Sequence, residues 1–173
     1  CTQDHLASVY WKCYQIPIVI TRMFTYINPR RKNLFATSFA YQIARIERGE
    51  QDVLSHGNLS STRTIMDIRD AAQAYWLTLI EGKAGKVYNI GSETPIKVGD
   101  VLKKLTEKSS HAISLESDSN KMRKTDVKGQ IPCVKKFTED TGWHPRYDLD
   151  ESLEFLMQEC RNLCEWEERH GKF

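Results

Sequence analysis

The sequence predicts an α/β protein, and two short apolar segments with amphipathic stretches around them carry that prediction. Residues 16–20 (IPIVI) and 86–90 (KVYNI) are short and apolar, as expected for buried strands of a parallel sheet. We expect the first of them to be buried on both faces. The stretches that separate and follow them have apolar residues at helical spacing. Strands that alternate with helices are typical of a sheet covered by helices.

The composition sets limits on size, compartment and partners. The 173 residues, 40% apolar and 28% charged, suffice for one hydrophobic core and a small second one. No apolar run approaches the roughly 20 residues of a membrane span, and no signal-peptide pattern occurs, so we expect a cytoplasmic protein without a membrane partner. A net charge of +2 is too small to indicate a nucleic-acid partner. The five cysteines and five histidines lack metal-ligand spacing, so we expect reduced thiols and no metal site.

The first part of the chain is predicted as helix, strand and basic loop. Residues 6–14 have apolar side chains at helical spacing, and Pro17 ends that helix before the first strand. The following loop carries three consecutive cations, Arg30, Arg31 and Lys32. Ligands bind at the carboxyl ends of parallel strands, and cations there suit phosphates. From these residues alone, a solvated turn remains the alternative.

Arg63 is the next candidate for a ligand contact. A helix at 35–47 that stops at Gly49, a strand at 53–56 and a turn lead to it. Its guanidinium offers a bidentate grip on a diphosphate. An exposed surface arginine is the alternative.

The remaining elements are predicted mainly as packing helices. They are helices at 67–79, 98–108, 134–141 and 150–164, and a short strand at 112–116 within a long polar segment. The helix at 67–79 carries a broad apolar stripe that we expect to face the core: Ile68, Ala71, Ala72, Tyr75, Trp76 and Leu79. Long polar segments such as the one around residues 109–130 are often functional.

Four motifs in a fixed order resemble a known family. They are residues 22–31 (RMFTYINPRR), residues 57–76 (GNLSSTRTIMDIRDAAQAYW), residues 87–93 (VYNIGSE), and residues 123–127 (RKTDV) followed by 141–145 (TGWHP). Together they resemble extended short-chain dehydrogenase/reductases that act on nucleotide sugars, and most closely the GDP-mannose 4,6-dehydratases. The resemblance covers residues 1–158 and leaves 159–173 as a charged tail without an assigned role.

The resemblance implies the trailing part of a Rossmann-type parallel sheet, with strands near 16–22 and 86–90, plus the smaller C-terminal substrate-binding lobe. The family's Tyr-x-x-x-Lys helix resembles residues 1–14 and would place its lysine at or before Cys1. The sequence contains no Tyr-x-x-x-Lys and no GxxGxxG. We therefore expect a C-terminal fragment that holds no catalytic residue and is inactive alone.

The activity implied by the resemblance is conversion of GDP-mannose to GDP-4-dehydro-6-deoxymannose with bound NADP, or NAD, in a homo-oligomer. The alternatives are a GDP-4-dehydro-6-deoxymannose reductase and a non-catalytic subunit that binds a nucleotide sugar or acts as a scaffold. The resemblance assigns cofactor contacts to Thr25, Tyr26 and Arg31. It assigns the diphosphate of the substrate to Arg63 and Arg123, and the nucleoside to Asp126. Lys124 stands where the family has proline.

Overall fold

The computed structural model describes residues 2–122 and 127–171 of the chain. Within them, six α-helices and seven short strands form an α/β fold. The helices are α1 (Thr2–Tyr14), α2 (Phe35–Glu47), α3 (Ile68–Ile80), α4 (Val98–Glu107), α5 (Lys135–Thr141) and α6 (Leu149–His170). The strands are β1 (Ile20–Met23), β2 (Val53–His56), β3 (Thr62–Thr64), β4 (Val87–Ile90), β5 (Pro95–Lys97), β6 (Ser114–Ser117) and β7 (Gly129–Gln130).

The strands pair in three small sheets. β1 runs parallel to β4, and β2 runs parallel to β6. In the third sheet, β3 lies in the centre, antiparallel to β5 and parallel to β7. The sequence did not predict β3, β5 or β7, because strands of two or three residues are too short to show an alternating pattern. The parallel pairs confirm the predicted fold class.

The larger hydrophobic core lies between α2, α4 and α6. Each of these helices buries one apolar face, and β2 adds Leu54. The buried side chains include Phe39, Ile43, Val101, Leu102, Leu105, Leu153, Leu156 and Met157. This core confirms that the segments predicted at 98–108 and 150–164 are packing helices.

The smaller core lies between β4, α3 and α5. The Phe137 ring centre lies 5.4 Å from that of Tyr88 and 5.6 Å from that of Trp143. α5 ends at Gly142, whose φ of 68° is left-handed and favours glycine. The predicted end of this helix at residue 141 is thus confirmed.

The first predicted strand begins later than expected. The structure starts β1 at Ile20, Ile16 is 42% exposed, and none of the four strand residues is buried. Pro17 has no N–H to donate to a ladder, and among the described residues β1 pairs with β4 alone. The expectation of a strand at 16–20 buried on both faces is therefore wrong.

Helix α3 turns inward a face that only partly matches the predicted one, since Ala71 is buried and Ile68 packs against the smaller core. It buries Asp70, Ala71, Ala74 and Thr78. The aromatic rings of the predicted stripe, Tyr75 and Trp76, and its Leu79 are exposed. The Asp70 carboxylate accepts hydrogen bonds from the backbone N–H groups of Arg146 and Tyr147. A buried carboxylate must keep such partners, so Asp70 fixes which face points inward.

Helix α6 is longer than predicted at both ends. Asp148 and Glu151 form a capping box at its start. It continues past the predicted end at residue 164 to His170, because Cys160, Cys164 and Glu167 repeat at helical spacing on its buried face. Among the described residues, no helix is long and apolar enough to cross a membrane.

Candidate functional site

A cavity of about 580 Å³ opens where the basic loop, the start of α2, the end of β2 and β3 meet. Three of its lining residues are cations, Lys32, Arg63 and Lys121. None of the described lining residues carries a carboxylate. A lining that holds cations and no carboxylate favours an anionic ligand. The uncharged polar part of the lining includes Thr25, Ser38, Ser55, Asn58, Ser61 and Gln130.

The basic loop is held by hydrogen bonds of Asn28. Its side-chain oxygen accepts from the Arg30 N–H at 3.0 Å. Its backbone carbonyl accepts from the Arg31 N–H at 3.0 Å and from the Thr37 hydroxyl at 2.9 Å. The loop is thereby fastened to the first turn of α2, with Lys32 between them.

The start of α2 adds partial positive charge to the cavity. Leu34 occupies the N-cap position and makes no side-chain capping hydrogen bond. Leu34, Phe35 and Ser38 all line the cavity. The first N–H groups of a helix and its macrodipole attract anions, so this helix end reinforces the three cations.

Lys32 is the most constrained of the three cations. Its ammonium forms an ion pair with Glu167 and lies 4.2 Å from the centre of the Tyr41 ring. Burial lowers the pKa of Lys32, but Glu167 and the Tyr41 hydroxyl outweigh it and leave that pKa above its ordinary value. The side chain is therefore positively charged at neutral pH.

Arg63 joins the wall of the cavity to the neighbouring strand. Its Nη1 donates to the backbone carbonyls of Thr62 and Val127, both at 2.8 Å. The second bond fastens β3 to the segment that leads into β7. Arg63 thus lines the cavity and also fixes the position of residues 127–130.

Lys121 reaches the cavity because the chain passes very close to Gly57. The Lys121 ammonium donates a hydrogen bond to the Ser55 carbonyl at 3.0 Å. A Cβ on Gly57 would lie 2.6 Å from the Lys121 carbonyl oxygen, a distance that no side chain tolerates. Glycine at 57 therefore allows the segment after β6 to close this side of the cavity.

The predicted site residues occupy different places. Thr25 and Arg63 line the same cavity. Tyr26 forms a β-bridge with Met66 and packs against the smaller core, and Arg31 is exposed. Arg123 and Asp126 lie outside the described residues, between Met122 and Val127.

The sequence did not single out Lys32 from its neighbours, and it gave no indication of Lys121. Lys32 belongs to the predicted basic run, but nothing in the run distinguishes it from its neighbours. Lys121 lies in the polar segment, and only the pairing of β2 with β6 brings that segment beside the cavity. Among the described residues, no cluster of three or more His, Cys, Asp or Glu side chains suits a metal ion.

Comparison with known proteins identifies the family. A family model described as GDP-mannose 4,6 dehydratase matches residues 1–156. The chain belongs to this family. The resemblance seen in the four sequence motifs is thus confirmed.

Three relatives show how far the similarity extends. A GDP-6-deoxy-D-mannose reductase from Pseudomonas aeruginosa is 29% identical over 154 residues, which cover 88% of this chain and 49% of that protein. The solved structure of RMD from P. aeruginosa, complexed with NADPH, has a TM-score of 0.85 at 24% identity and covers 92% of this chain and 54% of that one. A dTDP-glucose 4,6-dehydratase from Bacillus anthracis, in complex with NAD, has a TM-score of 0.76 at 21% identity, with coverages of 94% and 50%.

These comparisons establish the fold as well as the family. The chain spans about half the length of each of these three relatives. The chain shares the α/β fold of the two solved structures. The relatives named above are a reductase and a dehydratase of nucleotide sugars.

Proposed function

We propose that the chain forms the nucleotide-sugar-binding part of a GDP-mannose 4,6-dehydratase, which converts GDP-mannose to GDP-4-dehydro-6-deoxymannose. The observation that carries this proposal is the cavity with three cations, a helix N-terminus and no carboxylate among its described lining residues. A nucleoside diphosphate carries the negative charge that such a cavity favours. The family match over residues 1–156 supports GDP-mannose as the sugar nucleotide.

In this proposal Arg63 and Arg123 bind the diphosphate from two sides, and Asp126 accepts a hydrogen bond from the nucleoside. Arg63 meets the geometric requirement, since it lines the cavity together with Lys32 and Lys121. Its hold on the Val127 carbonyl brings the chain that follows Asp126 to the cavity. The contact between Arg63 and the Val127 carbonyl, directly after Asp126 in the sequence, supports this part of the proposal.

The cofactor in this proposal is NADP, with NAD as the alternative, and the bound relatives support it. When bound, it would supply reversible hydride transfer at the sugar. The donors for it are the hydroxyls of Thr25 and Tyr26 and the guanidinium of Arg31. They fit an anionic cofactor, because all three donate hydrogen bonds and lie in the loop after β1, where a parallel sheet binds ligands.

Binding of GDP-mannose, followed by calorimetry, tests the proposal. We expect Arg63→Ala to weaken binding about tenfold, since it removes a charge-assisted hydrogen bond. Arg146→Ala is the matched control, because Arg146 is exposed outside the cavity lining and should leave binding unchanged. Arg31→Ala should weaken NADP binding and leave GDP-mannose binding intact. Unchanged GDP-mannose affinity in Arg63→Ala would contradict the assignment.

Turnover separates the candidate activities. The 173 residues alone should bind GDP-mannose without converting it, since the Tyr-x-x-x-Lys pair is absent from their sequence. A second candidate is GDP-4-dehydro-6-deoxymannose reductase, favoured by the similarity to the P. aeruginosa enzyme. A protein that acts as the reductase would oxidise NADPH in the presence of the keto sugar. The dehydratase would form that keto sugar from GDP-mannose without net consumption of NADP.

A further inference from the structure

The last turns of α6 contact the wall of the cavity through one buried carboxylate. The Glu167 side chain is 4% exposed and forms an ion pair with the Lys32 ammonium. The Tyr41 hydroxyl donates a hydrogen bond to the other carboxylate oxygen of Glu167. The Tyr41 ring also lies against the ammonium. α6 and α2 therefore hold the end of the Lys32 side chain between them.

We propose that Glu167 is a positioning residue, which holds the Lys32 ammonium at the cavity wall so that it binds the diphosphate of the nucleotide sugar. The inference rests on the proposed function and deepens it. It extends the site to a helical segment outside the residues 1–156 that the family model matches. It also gives a role to part of the segment 159–173, for which the sequence suggested none.

An ammonium group that is held by one carboxylate can still bind a ligand. It has three N–H donors and no acceptor, so a bond to Glu167 leaves donors for phosphate oxygens. A free lysine stem loses conformational entropy when a ligand fixes it. A stem already held by Glu167 and Tyr41 avoids much of that loss, which strengthens binding.

The surroundings of Glu167 leave its carboxylate little freedom to move. Cys164 and Cys160 are buried on the same face of α6, about one turn and two turns before Glu167. A buried carboxylate that loses its cationic partner is strongly disfavoured. The Glu167 carboxylate is therefore held in a fixed position, and it fixes the position of the Lys32 ammonium.

The neighbouring residue on α6 provides a matched control. Glu168 pairs with Arg48 at 2.5 Å, and its side chain is 67% exposed. This pair also joins α6 to the end of α2, but neither residue lines the cavity. Loss of the Glu168 carboxylate thus tests whether a weaker contact between α2 and α6 is enough to change the affinity for the ligand.

The affinity of the protein for GDP, measured by calorimetry, tests the proposal. Glu167→Ala should lower it about fivefold, because the Lys32 ammonium loses its anchor. Glu167→Gln should stay within about twofold of the wild type, because the amide oxygen still accepts from Lys32. Glu168→Ala should bind GDP as the wild type does. Unchanged or tighter binding by a folded Glu167→Ala variant would overturn the proposal.

A double variant separates positioning from a general structural role. In a Lys32→Ala background, Glu167→Ala should lower the GDP affinity no further, since the two residues act through one contact. An equal loss in both backgrounds would overturn the proposal. Where Glu167→Ala does not fold, Glu167→Asp keeps the charge on a side chain one methylene shorter. It should lower the affinity about threefold, and an unchanged affinity would refute positioning.

Failure of the inference is distinguishable from failure of the proposed function. If Arg63→Ala and Lys32→Ala weaken GDP binding but Glu167→Ala does not, the cavity binds the nucleotide and Glu167 has no positioning role. If neither Arg63→Ala nor Lys32→Ala weakens it, the cavity is not the nucleotide site, and both proposals are wrong.

Discussion

The two hydrophobic cores of the chain differ in how completely they enclose their apolar side chains. In the larger core, α2, α4 and α6 turn apolar faces toward one another, and Leu156 is fully buried. Beside the smaller core, α3 directs Trp76 and Leu79 outward, 62% and 79% exposed. The comparison teaches that apolar periodicity predicts a helix without deciding which face is buried. It also shows that α2 and α6, which hold Lys32, belong to the enclosed core.

A matched pair of leucines gives the largest expected contrast between the two regions. Leu156→Ala should lower the free energy of unfolding by about 2–5 kcal/mol, because it leaves a cavity in a packed core. Leu79→Ala should change it by less than about 0.5 kcal/mol, since the side chain is mostly in solvent. Urea unfolding followed by circular dichroism measures both. Similar losses in the two variants would show that α3 packs against something that covers Leu79.

The ion pair between Glu47 and Arg161 offers a smaller test of the enclosed region. Arg161 Nε and Nη2 donate to the two Glu47 oxygens at 2.8 and 2.9 Å. This bidentate pair lowers the pKa of Glu47 against the opposing effect of burial. A carboxylate whose pKa is lowered in the folded state stabilises the fold at pH values above its ordinary pKa, which is 4.5 for Glu47. That contribution is lost as the pH falls through the folded-state pKa.

The lowered pKa of Glu47 predicts how the stability of a Glu47 variant depends on pH. Glu47→Gln should lower the free energy of unfolding by about 1 kcal/mol at pH 7. The difference from the wild type should shrink as the pH falls from about 4.5 toward the lowered pKa. Glu107→Gln is the control, because the Glu107 side chain is 61% exposed and its pair with Lys103 is long. It should cost less than about 0.5 kcal/mol. A difference for Glu47→Gln that is constant with pH would contradict the account.

Much of the fold could be predicted because local sequence patterns decide it. The bounds of α2 and β2 agree with the prediction, since their apolar spacing and the stop at Gly49 are local signals. The face of α3 could not be predicted, because Asp70 is fixed by backbone groups of Arg146 and Tyr147, more than 70 residues away in sequence. The buried end of α6 was also not predicted, since Glu167 pairs with Lys32, 135 residues away in sequence.

The site was predictable only in part, for a related reason. The basic run and Arg63 mark two walls of the cavity, and residue type alone suggested phosphate binding. Which cation of the run lines the cavity depends on Glu167, 135 residues away, and the contribution of Lys121 depends on the pairing of β2 with β6. The roles of Tyr26, Arg123 and Asp126 stay predictions that rest on the family resemblance.

The central claim is that the cavity between the basic loop, α2 and β3 binds the diphosphate of a nucleotide sugar. The most direct test is a crystal structure of the protein with GDP at saturating concentration. The account predicts that diphosphate oxygens lie within hydrogen-bond distance of the Arg63 guanidinium and the Lys32 ammonium, with Lys32 still paired to Glu167. Diphosphate bound at any other place, with the cavity side chains ordered around water alone, would contradict it.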